Sequence, residues 1–306
     1  MFDLHDASVS ISPAPLQQSS AFAAALRVTG QRPLVLRGAG SRPVVVLRRR
    51  FWPGLPVAML ARADVTDLAD DAAGLDRWLR AAGLNRTPLI LAPESPCAPL
   101  LRQLGAVPLV TAATIAEIDL TAPEPVRRAA LHQKWRNRLA RAEDQGGLQV
   151  TVAPFSPAGH WLLAADRAQR RQRGYRGWPE ALTLAYVREN PGQAMMFGAL
   201  EGGAPVAGML ILRHGDGATY HIGHTTERGR QLSAHTLLLW RATCWLAETG
   251  TRRLDLGLID TESAPGLARF KLGSGARPRR LGGTWGWWPP LGRMLAPLGR
   301  WDPEAC

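Results

Sequence analysis

The chain is almost without lysine: of its 37 basic residues, only Lys134 and Lys271 are not arginine. A compact ammonium that its surroundings can tune is therefore available at two positions, and a permanently charged guanidinium serves everywhere else. Cysteine is equally scarce. Cys97, Cys244 and Cys306 are odd in number and far apart, which excludes a disulfide framework and a cysteine-based metal site and points to a reducing cytoplasm. No apolar run approaches the roughly 20 residues of a membrane-spanning helix; Val44-Val45-Val46-Leu47 is representative of the longest. The opening Met1-Phe2-Asp3-Leu4-His5-Asp6 is acidic with no apolar core behind it, so no secretory signal is expected. No serine or cysteine stands in a nucleophile constellation either, and Cys244 falls on the apolar pattern of a helix, as a core residue would.

What is present is a globular composition, 46% hydrophobic and 20% charged, with a net charge of +12. Residues 1–122 carry 12 arginines against 10 acids, and residues 123–306 carry 25 basic residues against 15 acids. A basic C-terminal half suits an anionic partner: a nucleotide cofactor, a phosphorylated substrate, RNA or an anionic membrane surface. The near-exclusive use of arginine also fits the coding bias of a GC-rich genome, which would produce the same excess without any partner.

Length suggests two domains. Ser20 is the expected N-cap of a helical pattern from Phe22 to Leu26. Leu34-Val35-Leu36 and Val44 to Leu47 are β-branched runs around the turn Gly38-Ala39-Gly40-Ser41, and Val57 to Leu60 follows Pro53-Gly54. Residues 67–82 read as a helix ended by Gly83, Leu89 to Leu91 and Ile115 to Leu120 as strands, and Pro99 to Leu104 as a short helix between them. This is a small α/β unit without a catalytic motif. Thr121-Ala122-Pro123-Glu124-Pro125 interrupts both periodicities and marks the joint, giving expected domains 1–122 and 123–306.

Arg127 to Asp144 is predicted as one basic helix, either a contact for phosphate or nucleic acid or a solvated charged face. Leu148 to Val152 is a strand, His160 to Arg171 and Pro179 to Arg188 are helices, and between them lies a basic, aromatic loop from Arg170 to Trp178. Strands at Met195 to Leu200, Val206 to Leu212 and Thr219 to Thr225 are joined by tight glycine turns, an antiparallel meander. The last strand leads through the charged glycine turn Glu227-Arg228-Gly229-Arg230 into a long helix, Ser233 to Leu246, and then into Leu254 to Leu258. Such a crossover presents a helix N-terminus to a cleft, a place that suits a phosphate.

This order resembles the GNAT N-acyltransferase fold. Four stretches are similar to its FemAB-like branch: Leu131 to Gly146, Tyr220-His221-Ile222-Gly223, Leu254-Asp255-Leu256-Gly257, and Gly266-Leu267-Ala268-Arg269-Phe270-Lys271, of which the Phe-Lys pair is the most specific. Leu16-Gln17-Gln18-Ser19 resembles the opening of that family. The resemblance implies an α/β (α+β) fold of tandem GNAT-like halves, with a mixed, mostly antiparallel central sheet flanked by helices. Residues 1–122 would be a degenerate half and 123–306 an acyltransferase domain. It further implies transfer of an acyl group from acetyl-CoA or another acyl-CoA to an amine, with Tyr220, Ile222, Arg228, Gly229, Arg230, Gln231, Ser233, Ala234 and His235 around the coenzyme. Gln231 and Ser233 stand where glycines are expected, and a side chain there limits how closely backbone amides approach a phosphate. FemAB relatives acting on peptidoglycan take their acyl group from aminoacyl-tRNA and lack the coenzyme loop. A second reading is therefore an aminoacyl-tRNA-dependent, amide-forming transferase acting on a cell-envelope precursor, and a third is a GNAT-shaped binding protein without catalysis; across the enzyme readings the expected acceptor is a small-molecule or envelope-precursor amine.

Lys271 is the leading candidate for catalysis, because the resemblance places a lysine there beside the reacting carbonyl, where an ammonium stabilises the tetrahedral intermediate. His221 is a base or a hydrogen-bonded structural histidine. Asp255 orients the amine or is a buried acid bonded to arginine or backbone. His221 and His224, three apart on a strand, are expected to face opposite ways and not to pair around a metal; no metal and no DNA partner are expected. Arg136, Arg173, Tyr175 and Arg176 are candidate substrate contacts, Arg277, Arg279 and Arg280 candidate contacts for an anionic acceptor, and the amphipathic tail from Pro289 packs on the domain or touches a membrane surface.

Overall fold

The computed structural model describes residues 13–37, 42–51, 54–144, 147–174 and 177–291. The turn at 38–41 and the tail beyond Leu291 lie outside them. Ser19, one residue before the expected cap, starts α1 (Ser20–Val28) by accepting the Phe22 N–H on its hydroxyl. β1 (Leu34–Arg37), β2 (Pro43–Phe51) and β3 (Leu55–Ala63) form an antiparallel run. α2 (Ala72–Ala81) begins later than expected because Asp71 takes the Gly74 N–H and fixes the first turn there, leaving Leu68 buried in the preceding turn. β4 (Leu89–Pro93) returns parallel to β3. After α3 (Ala98–Gln103) comes β5 (Val107–Val110), a strand the sequence did not announce because Pro108 breaks its pattern. β6 (Thr114–Asp119) follows.

The expected single basic helix is two, α4 (Glu124–Ala129) and α5 (Gln133–Asp144). The break at His132 is stabilised from outside the helix: its N–H bonds the Gly273 carbonyl and its Nδ1 accepts the Lys134 N–H. β7 (Leu148–Pro154), α6 (Trp161–Arg173) and α7 (Glu180–Glu189) precede the meander β8 (Ala194–Glu201), β9 (Ala204–His214) and β10 (Gly217–Thr225). Then come α8 (Glu227–Gln231), α9 (Ala234–Glu248), β11 (Arg253–Leu258), α10 (Pro265–Gly273), β12 (Arg277–Arg280) and β13 (Thr284–Trp287).

Two GNAT-like sheets result. One has the order β1-β2-β3-β4-β13-β5 and the other β12-β6-β11-β10-β9-β8-β7. Each contains one parallel pair, β3 with β4 and β10 with β11, among antiparallel neighbours. The sheets exchange strands: β6, from before residue 121, lies between β12 and β11, and β13, from near the C-terminus, lies between β4 and β5. Helices α5 and α9 cover one face of the second sheet over a core that includes Trp135, Leu139, Leu238 and Trp240. Its other face is covered by α6 and α7 together with α1, whose Phe22 and Leu26 join Leu162, Leu182 and Tyr186. Burying each such side chain contributes about 1.5–3 kcal/mol, so α1 ties the first half to the second.

Candidate active site

β10 and β11 are hydrogen-bonded neighbours for three residues only, Gly217 to Thr219 against Arg253 to Asp255. Beyond that point both strands continue without pairing to each other, and their edges become the walls of a V. A bulge on each strand produces the divergence. On β10 the register against β9 shifts between Tyr220 and Ile222. On β11 the register against β6 shifts between Asp255 and Leu258, where Asp255 Oδ1 accepts the Gly257 N–H at 2.6 Å and Gly257 has a φ of 77°. Any other residue at that φ is strained, so glycine is what lets β11 leave the sheet.

The bulge on β10 overturns the expected orientation of the two histidines. One extra residue shifts the alternation, and both rings lie on the α6–α7 side of the sheet. His221 Nε2 is 2.8 Å from Thr183 Oγ1, with Trp178 at 4.8 Å, while the His224 ring is 6.0 Å from Trp161. Burial, and secondarily Arg170, pull the His221 pKa down to about 3, so its imidazole is neutral at pH 7. Tyr220 faces the opposite side, its Oη 2.9 Å from His235 Nε2, and the His235 ring packs 5.3 Å from Phe270. Burial holds the His235 pKa near 4. A β-carbon on residue 223 would overlap the Tyr220 hydroxyl, so Gly223 is what admits the phenol at this wall. Among the described residues, no group of three or more His, Cys, Asp or Glu is placed to hold a metal ion.

Lys271 is buried in the last turn of α10, and its Nζ donates to the Leu258 carbonyl at 2.7 Å, against the bulge of β11. Desolvation lowers its pKa and Asp255 opposes the shift, leaving it at about 8. α10 is oriented by α5: Trp135 Nε1 donates to the Phe270 carbonyl at 3.2 Å, and the two rings lie 6.1 Å apart. Asp255, 3% exposed, has both oxygens engaged, one by Gly257 and the other by Arg62 Nη1 at 2.5 Å. It is therefore bonded as a buried acid to arginine and backbone.

Arg62 and Glu94 were not legible as site residues, although a lone arginine inside the apolar run Val57 to Ala63 is a signal. Arg62 has a φ of 54° at a register shift of β3 and binds Glu94 through two bonds, Nε to Oε2 at 2.7 Å and Nη2 to Oε1 at 3.0 Å. Glu94 also accepts from Arg279 at 2.5 Å, and Arg279 bonds Glu117 at 2.6 and 3.0 Å; Arg253 lies 3.4 Å from both glutamates. Three guanidiniums thus meet three carboxylates between the sheets. Arg279, expected to meet an anionic acceptor, is bound within this network instead.

The expected glycine turn is helical. Thr226 Oγ1 accepts the Gly229 N–H at 3.1 Å and its carbonyl accepts the Arg230 N–H, while Leu232 N–H bonds the Arg228 carbonyl. Arg228 pairs with Glu201 at 2.6 and 2.8 Å, and Arg230 with Glu227 at 2.9 Å. Ser233 adopts the left-handed conformation, φ 55°, at the position where a glycine was expected. Gln231 is exposed, and Ile222 and Ala234 are core residues. Within this segment the amides of residues 229 and 230 are already bonded and both arginines are engaged by acids, so none of these four groups is free for a coenzyme A pyrophosphate. Arg136 bonds Gln133 and the Ala129 carbonyl beside its own helix. Arg173 closes α6, and Tyr175 and Arg176 lie outside the described residues. A cavity of about 460 Å³ between α5, β7 and α9, lined by Cys244 among others, is separate from the V.

Residues 129–272, which include the β10–β11 crossover and Lys271, match the family described as "Acetyltransferase (GNAT) domain". They are a GNAT domain. Among solved structures, FemX superposes on the whole fold around this GNAT domain with a TM-score of 0.73 at 12% identity, covering 92% of this chain and 94% of its own. The C-terminal DUF2156 domain of an Agrobacterium fabrum protein named as a lysylphosphatidylglycerol synthetase gives 0.53 at 15% identity, with 92% of each chain covered. L-PGS from Bacillus licheniformis gives 0.52 at 14%, again over 92% of each. At such identities the likeness shows the fold alone, two GNAT-like halves in tandem. No curated protein matches in sequence. The chain is accordingly an acyltransferase by its GNAT domain, and no described helix is long and apolar enough to cross a membrane.

Proposed function

We propose that this enzyme forms an amide by transferring an aminoacyl group from aminoacyl-tRNA to an amine acceptor, a cell-envelope precursor or a smaller amine, in the cytoplasm. The observation that carries the choice of donor is the helical segment 226–232, whose amides and arginines are already bonded where a coenzyme pyrophosphate would need them. The exposed side chains of Lys134, Arg138 and Arg141, spaced at i, i+4 and i+7 along α5, offer a basic stripe to a polynucleotide. The likeness to a lysylphosphatidylglycerol synthetase, a name that itself denotes an aminoacylated product, agrees with this donor.

In the reaction the acceptor nitrogen attacks the ester carbonyl lodged in the V. The new C–N bond forms as the ester C–O bond breaks, and the proton lost by the amine goes to the departing ribose oxygen. The Lys271 ammonium faces the charge that gathers on the carbonyl oxygen, and His221, its basicity lowered by burial and its Nε2 engaged by Thr183, makes a poor base. No covalent enzyme intermediate is required. The test pairs calorimetry with coenzyme A and acetyl-CoA against tRNA binding at graded salt, followed by transfer from radiolabelled aminoacyl-tRNA. Binding of tRNA that weakens steeply with salt, together with amide product, is expected. Tight coenzyme A binding without tRNA binding would transfer the reading to an acyl-CoA donor, and binding of neither would leave a non-catalytic GNAT-shaped protein.

A further inference from the structure

Lys271 is buried against the bulge of β11, and the carboxylate that acts on it, Asp255, is held from the far side by an arginine of the first sheet. That arginine is in an unusual place. Arg62 occupies a left-handed backbone conformation inside a strand, which residues bearing a β-carbon avoid unless the surroundings enforce it. The register of β3 against β4 shifts at this residue, and the consequence is a guanidinium aimed across the boundary between the sheets, its fork closed on Glu94 and its remaining Nη1 on Asp255.

We infer that Arg62 is a positioning residue for the Lys271 ammonium: it fixes the Asp255 carboxylate, which in turn builds the Gly257 bulge against which Lys271 is held and supplies the negative charge that acts on it. The degenerate half thereby contributes to the site of the other half. The charged groups that surround this arrangement are Asp255 and Arg253 on β11, Arg62 and Glu94 from the first sheet, and Glu117 and Arg279 from β6 and β12. His214 nearby is kept neutral by burial, with a pKa of about 4, and adds no charge at pH 7. Three positive and three negative charges balance, so removing either member of the Arg62–Asp255 pair shifts the field at Lys271 in opposite directions.

That opposition is the test. It uses the full chain with lysine labelled at 13Cε, which gives two lysine signals because there are two lysines, assigned by Lys134→Arg. Asp255→Asn removes the negative charge and is expected to move the Lys271 titration midpoint down by about one pH unit. Arg62→Gln removes the positive charge and is expected to move it up, and Arg62→Lys, which keeps the charge, is expected to stay closer to the wild type. A network that merely held the fold would weaken stability in each variant and leave the Lys271 midpoint where it was. An unmoved midpoint, shifts of one sign in Asp255→Asn and Arg62→Gln, or failure of all three variants to fold would overturn the inference; whichever of the two charge-removing variants folds is sufficient to decide. The consequence for catalysis rests on the proposed reaction, but the titration does not. Opposed shifts in an enzyme that transfers nothing would sink the reaction and leave the positioning role standing.

Discussion

The chain builds the same strand–helix–strand crossover twice, and the two copies differ in how far their parallel strands stay together. In the first, β3 and β4 remain paired from Ala58 against Leu89 to Ala63 against Pro93, and the Glu94 N–H extends the contact by bonding the Ala63 carbonyl. In the second, β10 and β11 part after Thr219 and Asp255. Both first strands carry a bulge, at Arg62 and between Tyr220 and Ile222. One bulge is therefore not enough to open a parallel pair. The second crossover opens because β11 breaks register as well, through the Asp255–Gly257 bond, and β4 has no such break. The closed copy uses its bulge to aim Arg62 at the open one.

The largest effect expected from this contrast is at the ammonium that only the open copy has. Lys271→Ala should lower transfer by roughly 10²–10³-fold with little change in the thermal midpoint; retained turnover would deny the residue its role. Removing the second bulge comes next. Gly257→Ala places a β-carbon on a left-handed backbone and should destabilise the protein by about 1–2 kcal/mol, read as a lower urea midpoint, and transfer should fall further than stability alone explains. An unaltered midpoint would mean that β11 diverges for some other reason.

The pH profile sharpens the comparison without a mutation. With the Lys271 pKa at about 8, an ammonium role makes transfer decline as pH rises through that value, whereas a lysine acting as base would make it climb. The stability dependence has its own sign. The folded-state value lies below the ordinary 10.5, so between about 8 and 10.5 the unfolded chain binds more protons, and stability rises with pH across that window. The smallest effect is expected at the helical segment before α9: Arg228→Ala and Arg230→Ala remove exposed ion pairs and should change transfer by no more than about twofold. A large loss there would restore a phosphate to that position.

The meander, the crossover and the Phe270-Lys271 pair were legible because periodicity, glycine turns and a rare lysine are local signals. The orientation of His221 was not, because a bulge is a matter of register between two strands and leaves no mark in the alternation of one. The break at His132 was hidden for a similar reason: the carbonyl that stabilises it belongs to Gly273. Arg62 stood out only as a lone arginine in an apolar run, and its partners could not be read, because a network joining residues 193 positions apart, Arg62 to Asp255, exists only once the sheets are packed.

The exchange of β6 and β13 between the sheets has a consequence for how the molecule is made. When the ribosome has delivered everything up to the joint near residue 122, the first sheet still lacks the strand that belongs between β4 and β5, and it stays incomplete until residues 284–287 have emerged. Cutting the chain at the joint would likewise strip the second sheet of β6 and part β12 from β11. Neither sheet is complete without a strand from the other side of the joint, so the last strand to be made is one that the first sheet is waiting for.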